Sequence, residues 1–478
     1  MKSKSETKYV NYLIAILPLF AFFLVLFVNR HGIGISPDSV MYSSSAEYFL
    51  ANGELRTILE GPDWEYLAHY PPGYSLVLAL GNFFIDDIYL AASVLNGIFL
   101  SILLFIIGWF MQRRHTLTQV IIIQITVLSF CSFLRIYEML WSEGFYMVWV
   151  VLAYFSAYEF KITRQKKWLV TCLIGIIFAC FTRYVGVTVL LTVLLFNFIE
   201  SKGQRNFRFY KFHFLFSITA VSLLVIWLIR NKLLLDNVAN RTFSYHPVSS
   251  DVWKTMFTET ARYLIPYRPL HVPSKFYLLL GVLIFLLLVS FSVYVILKNK
   301  SKLIKIFALN FFVYFLFLLF TNTFLDTTPL YWRTLMPIFL FLILGITLSL
   351  YESNHKWIKP FLMGYIAIHL VCTLNLAIDK TNGLGYSHER RQDQELVEFC
   401  QSLSNKTLFS NEPYRLYYLS KGKTLTYWPK HVESHQNKGD LFIYFSPGHG
   451  ATKNYWADLN GDWDLIYKSK TAEVRKRR

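Results

Sequence analysis

Hydrophobic and polar positions fall along this chain in long blocks. Apolar stretches lie near residues 10–28, 88–110, 117–135, 142–160, 168–182, 184–199, 212–229, 276–297, 303–321, 333–351 and 357–378, eleven in all. Each comes close to the ~20 residues that one helix needs to cross a bilayer. The interval 168–199 is long enough for one extended helix, but Arg183 and Gly186 in its middle divide it into two. Three intervals between or after these blocks are polar: about 29–87, 230–275 and 379–478. The last alternates a charged, helix-like stretch (ERRQDQELVEFCQSL) with strand-like runs (KTLFS, KTLTYW, DLFIYF, DLIYKS). Such alternation predicts a small α/β domain. The pattern therefore predicts a polytopic α-helical membrane protein of about eleven spans. Residues 1–378 form its membrane domain, with juxtamembrane helices in the first loop (29–87) and a middle loop (230–275), and residues 379–478 form a C-terminal α/β domain.

Composition agrees. Of 478 residues, 54% are hydrophobic and 16% charged, and 18% are aromatic, as expected where Trp and Tyr sit at membrane interfaces. Mean hydropathy is +0.39. A net charge of +17 in a soluble protein would suggest nucleic acid. Here the basic residues lie mostly in short loops between apolar blocks, so they report topology and no nucleic-acid partner is expected. With the N-terminus (Lys2, Lys4, Lys8) in the cytoplasm, the basic residues fall in alternate loops. These carry Arg113 and Arg114; Lys161, Arg164, Lys166 and Lys167; Lys202, Arg205, Arg208 and Lys211; Lys298, Lys300, Lys302 and Lys305; and Lys356 and Lys359. An odd number of spans then leaves the three polar regions and the C-terminus outside. The terminal RKRR reads as a solvated or headgroup-binding tail. The N-terminus reads as an uncleaved signal anchor. Five cysteines, without a CxxC or Cys/His cluster, give no disulfide framework or zinc site.

Candidate chemistry lies on the predicted outer side. In 36-SPDSVMYSSSAEYFLANG-53, Ser36 can cap a helix that starts at Pro37 and ends at Asn52-Gly53. Its mixed apolar face predicts a helix lying along the membrane surface. Asp38 falls in the first turn, where an acid can simply complement the helix dipole or can serve as a base. In 69-HYPPGYSLVLALGNFF-84, two prolines and a glycine set a kink before an apolar helix. Glu143, Arg183 and Arg333 each stand at the outer end of a span. Taken singly, each reads as a snorkelling side chain. Together they offer cations for a phosphate and a carboxylate beside them. His369 is a lone polar residue within the last span and reads as hydrogen-bonded packing.

These landmarks, in this order, resemble the GT-C superfamily of membrane glycosyltransferases. The likeness is to the branch holding protein O-mannosyltransferases and lipid A aminoarabinose transferases. It rests on "SPDSVMYSSSAEYFLANG", "HYPPGYSLVLAL", "SEGFY", "TRYVGV" and "YWRTLMPIFLFLIL", and it covers roughly residues 5–380. The resemblance implies a multi-pass enzyme of the cell envelope that takes a sugar from a polyprenyl-phosphate donor among the membrane lipids. It passes that sugar to a protein, lipid or glycan on the outer face by a single inverting displacement. Asp38 would be the catalytic base, and Arg183 and Arg333 would bind the donor phosphate. Tyr42, His69, Tyr70, Tyr74 and Glu143 would shape the donor and acceptor site. Asp38 is followed by Ser39 where many relatives carry a second acid, so no D-x-D pair supports a divalent metal, and no cofactor is expected. Tyr70 stands where some relatives have a basic residue before Pro-Pro. Two other classes remain: a flippase or transporter of polyprenyl-linked sugars, and a non-catalytic assembly protein. A transporter would place charges deep within spans or repeat its halves.

Overall fold

The computed structural model describes residues 4–58, 63–201, 206–265, 274–298, 301–325, 330–351, 356–382, 394–403, 408–419, 440–445, 463–469 and 472–478. The predicted strand KTLTYW lies outside them. In chain order the first elements are α1 (Lys4–Val28), α2 (Pro37–Asn52), a hairpin of β1 (Arg56–Ile58) and β2 (Trp64–Tyr66), α3 (Gly73–Ile85) and α4 (Ile88–Met111). Then come α5 (Leu117–Ser129), α6 (Cys131–Tyr137), α7 (Glu143–Thr163), α8 (Lys166–Thr182), α9 (Val187–Glu200) and α10 (Phe207–Leu235). They are followed by α11 (Ser250–Leu264), α12 (Ser274–Lys298), α13 (Lys302–Phe324), α14 (Trp332–Tyr351) and α15 (Ile358–Thr381). The tail holds α16 (Gln394–Gln401), β3 (Leu408–Ser410), α17 (Pro413–Leu419), β4 (Leu441–Phe445), β5 (Trp463–Lys468) and β6 (Ala472–Arg477).

All eleven predicted blocks are helical. Among the described residues, seven helices are long and apolar enough to cross a membrane alone: α4, α7, α10, α12, α13, α14 and α15. The α5–α6 pair passes the same test together but is bent by 68°, as a broken span or a re-entrant loop is. The predicted break at Arg183 is real, and it leaves two short helices of 17 and 14 residues joined through a turn of 3-10 helix at Tyr184–Gly186.

The chain forms two compact units. The first is Met1–Val28, Ala68–Tyr74 and Ser93–Ile378. It is a helical bundle in which α7 packs on α8, α13 on α14, α11 on α12 and α9 on α13. Several buried polar side chains there find partners within the bundle, which offsets the cost of their burial. Tyr154 donates to Asn310 at 2.7 Å, and the Asn310 amide donates to the Pro337 carbonyl at 3.2 Å. Gln124 donates to the carbonyls of Ile14 and Leu104. His369 is buried, stacked on Phe130 with centroids 4.0 Å apart, and paired through Nε2 with the Leu264 carbonyl at 3.1 Å. It is a packed histidine, as its lone position predicted.

The second unit is Asn29–Leu67, Ser75–Ala92 and Asp379–Arg478. Its four-stranded sheet runs β3-β4-β6-β5, with β3 parallel to β4 and the other pairs antiparallel. Leu396, Leu416, Leu441, Ile443, Phe445 and Val474 form its core. The terminal basic run is therefore not a loose tail. Alternation in A-E-V-R-K-R buries Ala472 and Val474, and the strand pairs along its length with β4 and β5. Arg478 closes it with an ion pair to Asp464.

The helix α2 follows its caps as predicted. It runs Pro37–Asn52 after Ser36 and ends at Gly53 with φ 74°. Its burial differs from the expectation of a half-exposed surface helix: Ser39 to Ala46 are all buried. Five of those eight side chains are serine or alanine, small enough for close approach on several sides. Val40 packs with Ile58 and Tyr417. Ser44 meets Thr57 at 3.1 Å, and Thr57 donates to the Met41 carbonyl at 3.0 Å.

Candidate functional site

The charge cluster of the first unit is built on the start of α7. Glu143 is its first residue, 2% exposed. Arg333 is the second residue of α14 and 5% exposed. Arg183 caps the end of α8 in an extended conformation (φ −147°, ψ 141°). Burial of the acid and of Arg333 rules out the snorkelling reading for them. Arg183 pairs with Glu143 Oε1 at 2.7 Å and donates to the Ser142 hydroxyl at 2.7 Å. Arg333 donates through Nε to the same Oε1. Two guanidinium groups thus converge on one carboxylate oxygen. The other oxygen, Oε2, is buried and has no protein hydrogen-bond partner. Together these side chains carry one more positive charge than negative. Tyr314 lies within electrostatic reach of all three.

Local structure fixes each member. Pro337 follows Arg333 by one turn and has no N–H for the Arg333 carbonyl, which loosens the helix start there. Arg333 lies over the Trp141 ring at 4.2 Å, and Trp141 meets Trp332 at a tilt of 46° with centroids 5.5 Å apart. This aromatic pair fixes the plane of the guanidinium. For Arg183 the determinant is the turn after it. A Cβ on Gly186 would fall 2.4 Å from the Ala179 carbonyl carbon, so only glycine lets the chain fold back so tightly.

The segment 68-AHYPPGY-74 is held against this turn. Tyr184 donates to the Ala68 carbonyl at 2.6 Å. Gly73 approaches Phe181 so closely that a Cβ would lie 2.6 Å from its carbonyl oxygen. The expected kink is therefore present, with α3 starting at Gly73. Tyr74 is fully buried. His69 and Tyr70 are half-buried, their rings edge to face at 4.8 Å. His69 Nε2 lies 3.2 Å from Arg241 Nη2. Arginine can only donate, so this nitrogen accepts and the imidazole is neutral with its proton on Nδ1. Arg241 and Arg230 also act on Tyr184. Arg241 escaped the sequence reading. It is one of several basic residues in the middle loop, and nothing local singles it out.

Of the predicted site residues, the structure joins Glu143, Arg183 and Arg333 in one cluster, and His69 and Tyr70 with Arg241 in another. Asp38 and Tyr42 belong to the second unit. Asp38 is the second residue of α2 and half-buried, while Tyr42 is fully buried one turn later. The start of α2 is tied by the Ser36 amide donating to Ser39 Oγ at 2.9 Å. Near the other end, Tyr417 of α17 donates to Glu47 Oε2 at 2.6 Å. Burial raises the Glu47 pKa, the Tyr417 hydrogen bond opposes that shift, and Asp87 adds to it. Among the described residues no group of three or more His, Cys, Asp or Glu is placed to hold a metal.

No protein-family model matches the sequence, and no curated protein sequence does. Solved structures do match the fold. The crystal structure of ArnT from Cupriavidus metallidurans in the apo state aligns with a TM-score of 0.58 at 11% identity, over 99% of this chain and 98% of that one. The same protein bound to undecaprenyl phosphate aligns with a TM-score of 0.57 at 10% identity, over 98% of each chain. The predicted fold, a bundle of membrane-type helices with a small C-terminal sheet region, is thus shared with these structures over nearly the whole chain.

Proposed function

We propose that this protein is an inverting glycosyltransferase that moves a sugar from a polyprenyl-phosphate donor to an acceptor hydroxyl on the outer face of the membrane. The observation that carries the reading is the buried cluster in which Arg183 and Arg333 share one carboxylate oxygen. Two arginines held by a single acid retain net positive charge in a low-dielectric setting, which suits a phosphate that gains charge as its sugar departs. Undecaprenyl phosphate, the ligand of one similar structure, is a lipid-linked phosphate of the required class.

In the proposed reaction the acceptor oxygen attacks the anomeric carbon as the bond from that carbon to the phosphate oxygen breaks. Asp38 takes the hydroxyl proton, and the lipid phosphate leaves with the bonding pair. Arg183 and Arg333 take up the charge on that phosphate. Glu143 orients both guanidinium groups through Oε1, and its unpartnered Oε2 is available to a donor hydroxyl. His69, held by Arg241, lines the donor side with Tyr70 and Tyr74. Tyr42 supports the helix that carries Asp38. The N-terminus lies in the cytoplasm and the C-terminal domain outside, as the charge bias of the short loops requires. The sugar and the acceptor are chosen by parts of the chain that this chemistry does not specify.

The test is transfer of labelled sugar from a panel of polyprenyl-phosphate sugars, with a cell-envelope extract as acceptor. Wild type is compared with Asp38→Asn. Wild type transfers, and the folded variant is slower by about two or more orders of magnitude, the usual worth of a general base. Equal rates would remove Asp38 from the mechanism. Movement of the lipid-linked sugar across vesicles without transfer would favour the flippase reading instead.

A further inference from the structure

Where α5 breaks at Phe130, the chain turns through 68° into α6. Beside the turn a gap opens between α5, α14 and α15. A cavity of about 190 Å³ lies there, lined by Phe130, Ile343, Leu350, Phe361, Tyr365 and Ile366, among others. Its lining is mainly apolar, with Thr126, Thr347 and Tyr365 as the hydroxyl-bearing members. Tyr365 donates its hydroxyl to the Leu264 carbonyl at 2.5 Å, so that lining hydroxyl is satisfied. One end of the cavity reaches Leu350 and Phe361, at the membrane edge where α14 ends and α15 begins. Phe361 is 69% exposed there. The other end reaches Phe130 and Leu264. Along α15, from Lys359 to Ile366, this is about 10 Å of depth at 1.5 Å per residue.

The same edge carries positive charge. Lys356 stands by the Trp357 ring at 5.7 Å, and Lys359 over the Tyr351 ring at 5.0 Å. Tyr351 itself packs against the cluster of Ile122, Leu362 and Ile366 behind the cavity. Two exposed ammonium groups and two interfacial aromatics therefore frame the mouth of a greasy slot. A membrane phospholipid with a negative headgroup has this combination of chemistry: an anion at the interface and a chain that enters the hydrocarbon.

We propose that this slot is a binding site for one anionic glycerophospholipid, separate from the charge cluster at Glu143. One acyl chain fills the cavity between α5, α14 and α15, and the headgroup phosphate rests on Lys356 and Lys359. The lipid supplies the packing that the bend in α5 withholds, so it stabilises the bundle whether or not the protein is turning over. The site holds a structural lipid and is independent of the glycosyltransferase reading.

The experiment uses the full chain purified in detergent. Thermal unfolding is followed with added phosphatidylglycerol, phosphatidylcholine, undecaprenyl phosphate or inorganic phosphate, and bound lipid is counted by native mass spectrometry. Phosphatidylglycerol is expected to raise the melting temperature by several degrees and to remain bound one to one. Phosphatidylcholine is expected to do less, and inorganic phosphate nothing. Ile366→Trp fills the slot and should abolish both the shift and the retained lipid. Should that variant not fold, Ile343→Phe serves in its place. Lys356→Gln with Lys359→Gln should keep a chain-dependent shift but lose the preference for phosphatidylglycerol over phosphatidylcholine. The proposal is overturned if the two phospholipids shift wild type equally, or if the filled variant retains the lipid. It is also overturned if undecaprenyl phosphate displaces phosphatidylglycerol from the slot, which would make the slot part of the donor site.

Discussion

Glu143 holds two arginines whose side chains arrive from helices far apart in the chain. A buried carboxylate is costly unless paired, and the same is true of each guanidinium. The three are therefore stable only as a set. Removing the acid leaves two like charges side by side in a poorly hydrated site. Glu143→Gln should accordingly destabilise the folded protein by about 3–5 kcal/mol, read as a fall in melting temperature. Arg333→Lys tests a different quantity. It keeps the charge but loses the planar fork and the stacking on Trp141. Folding should survive, and transfer should slow by ~10²–10³, the scale of one lost oxyanion donor. If the lysine variant instead transfers at the wild-type rate, Arg333 supports the fold alone. Each charged residue was legible in the sequence by its place at the end of an apolar block. Their partnership was not, because 190 positions separate Glu143 from Arg333, and no local rule pairs residues at that distance.

At the scale of elements, α2 shows where local rules suffice and where they stop. Its ends were readable because Ser36, Pro37 and Gly53 act on their own backbone. Its neighbours were not, because a run of small serines carries no periodicity that identifies a facing surface. The hairpin β1–β2 was missed for a similar reason: its strands are three residues long and too short to show an alternation. The structure shows α2 clamped to that hairpin through Thr57 and to α17 through Tyr417. The second clamp titrates. Burial holds the Glu47 pKa above its ordinary 4.5. The folded protein thus keeps this proton to a higher pH than the unfolded chain does. Its contribution is complete below about 4.5 and is lost as pH rises through the folded value. Glu47→Gln keeps an oxygen for the Tyr417 hydroxyl and removes the titration. Across a series from about pH 4 to 8, the wild-type melting temperature should fall more steeply than that of the variant. Parallel curves would mean that Glu47 does not carry this dependence.

For the whole molecule, the seven long apolar helices, the broken α5–α6 pair and the short helices α8 and α9 set out the candidate spans, and the charge of the short loops predicts which way round they sit. Hydropathy reported the helices well because lipid admits few other structures. The strand order of the tail could not be read this way, since β6 inserts between β4 and β5 and no residue pattern announces a crossover. Orientation is a separate question, decided by the basic residues of short loops. Arg113, stacked over Trp109 at 4.1 Å and over Trp168 at 4.7 Å, marks one edge of the bundle by an arginine set among interfacial aromatics. That edge should face the cytoplasm, and Arg478, on the second unit, should face outward. In a background with the five native cysteines replaced, Arg113→Cys and Arg478→Cys separate the two orientations. Both positions are exposed, so access depends on the side of the membrane and not on burial. An impermeant thiol reagent added to intact cells should label Cys at position 478 and spare position 113 until the membrane is opened. The reverse pattern would place the Arg183 and Arg333 cluster on the cytoplasmic side and remove outer-face transfer. Labelling of both in intact cells would mean that the bundle does not seal these loops apart.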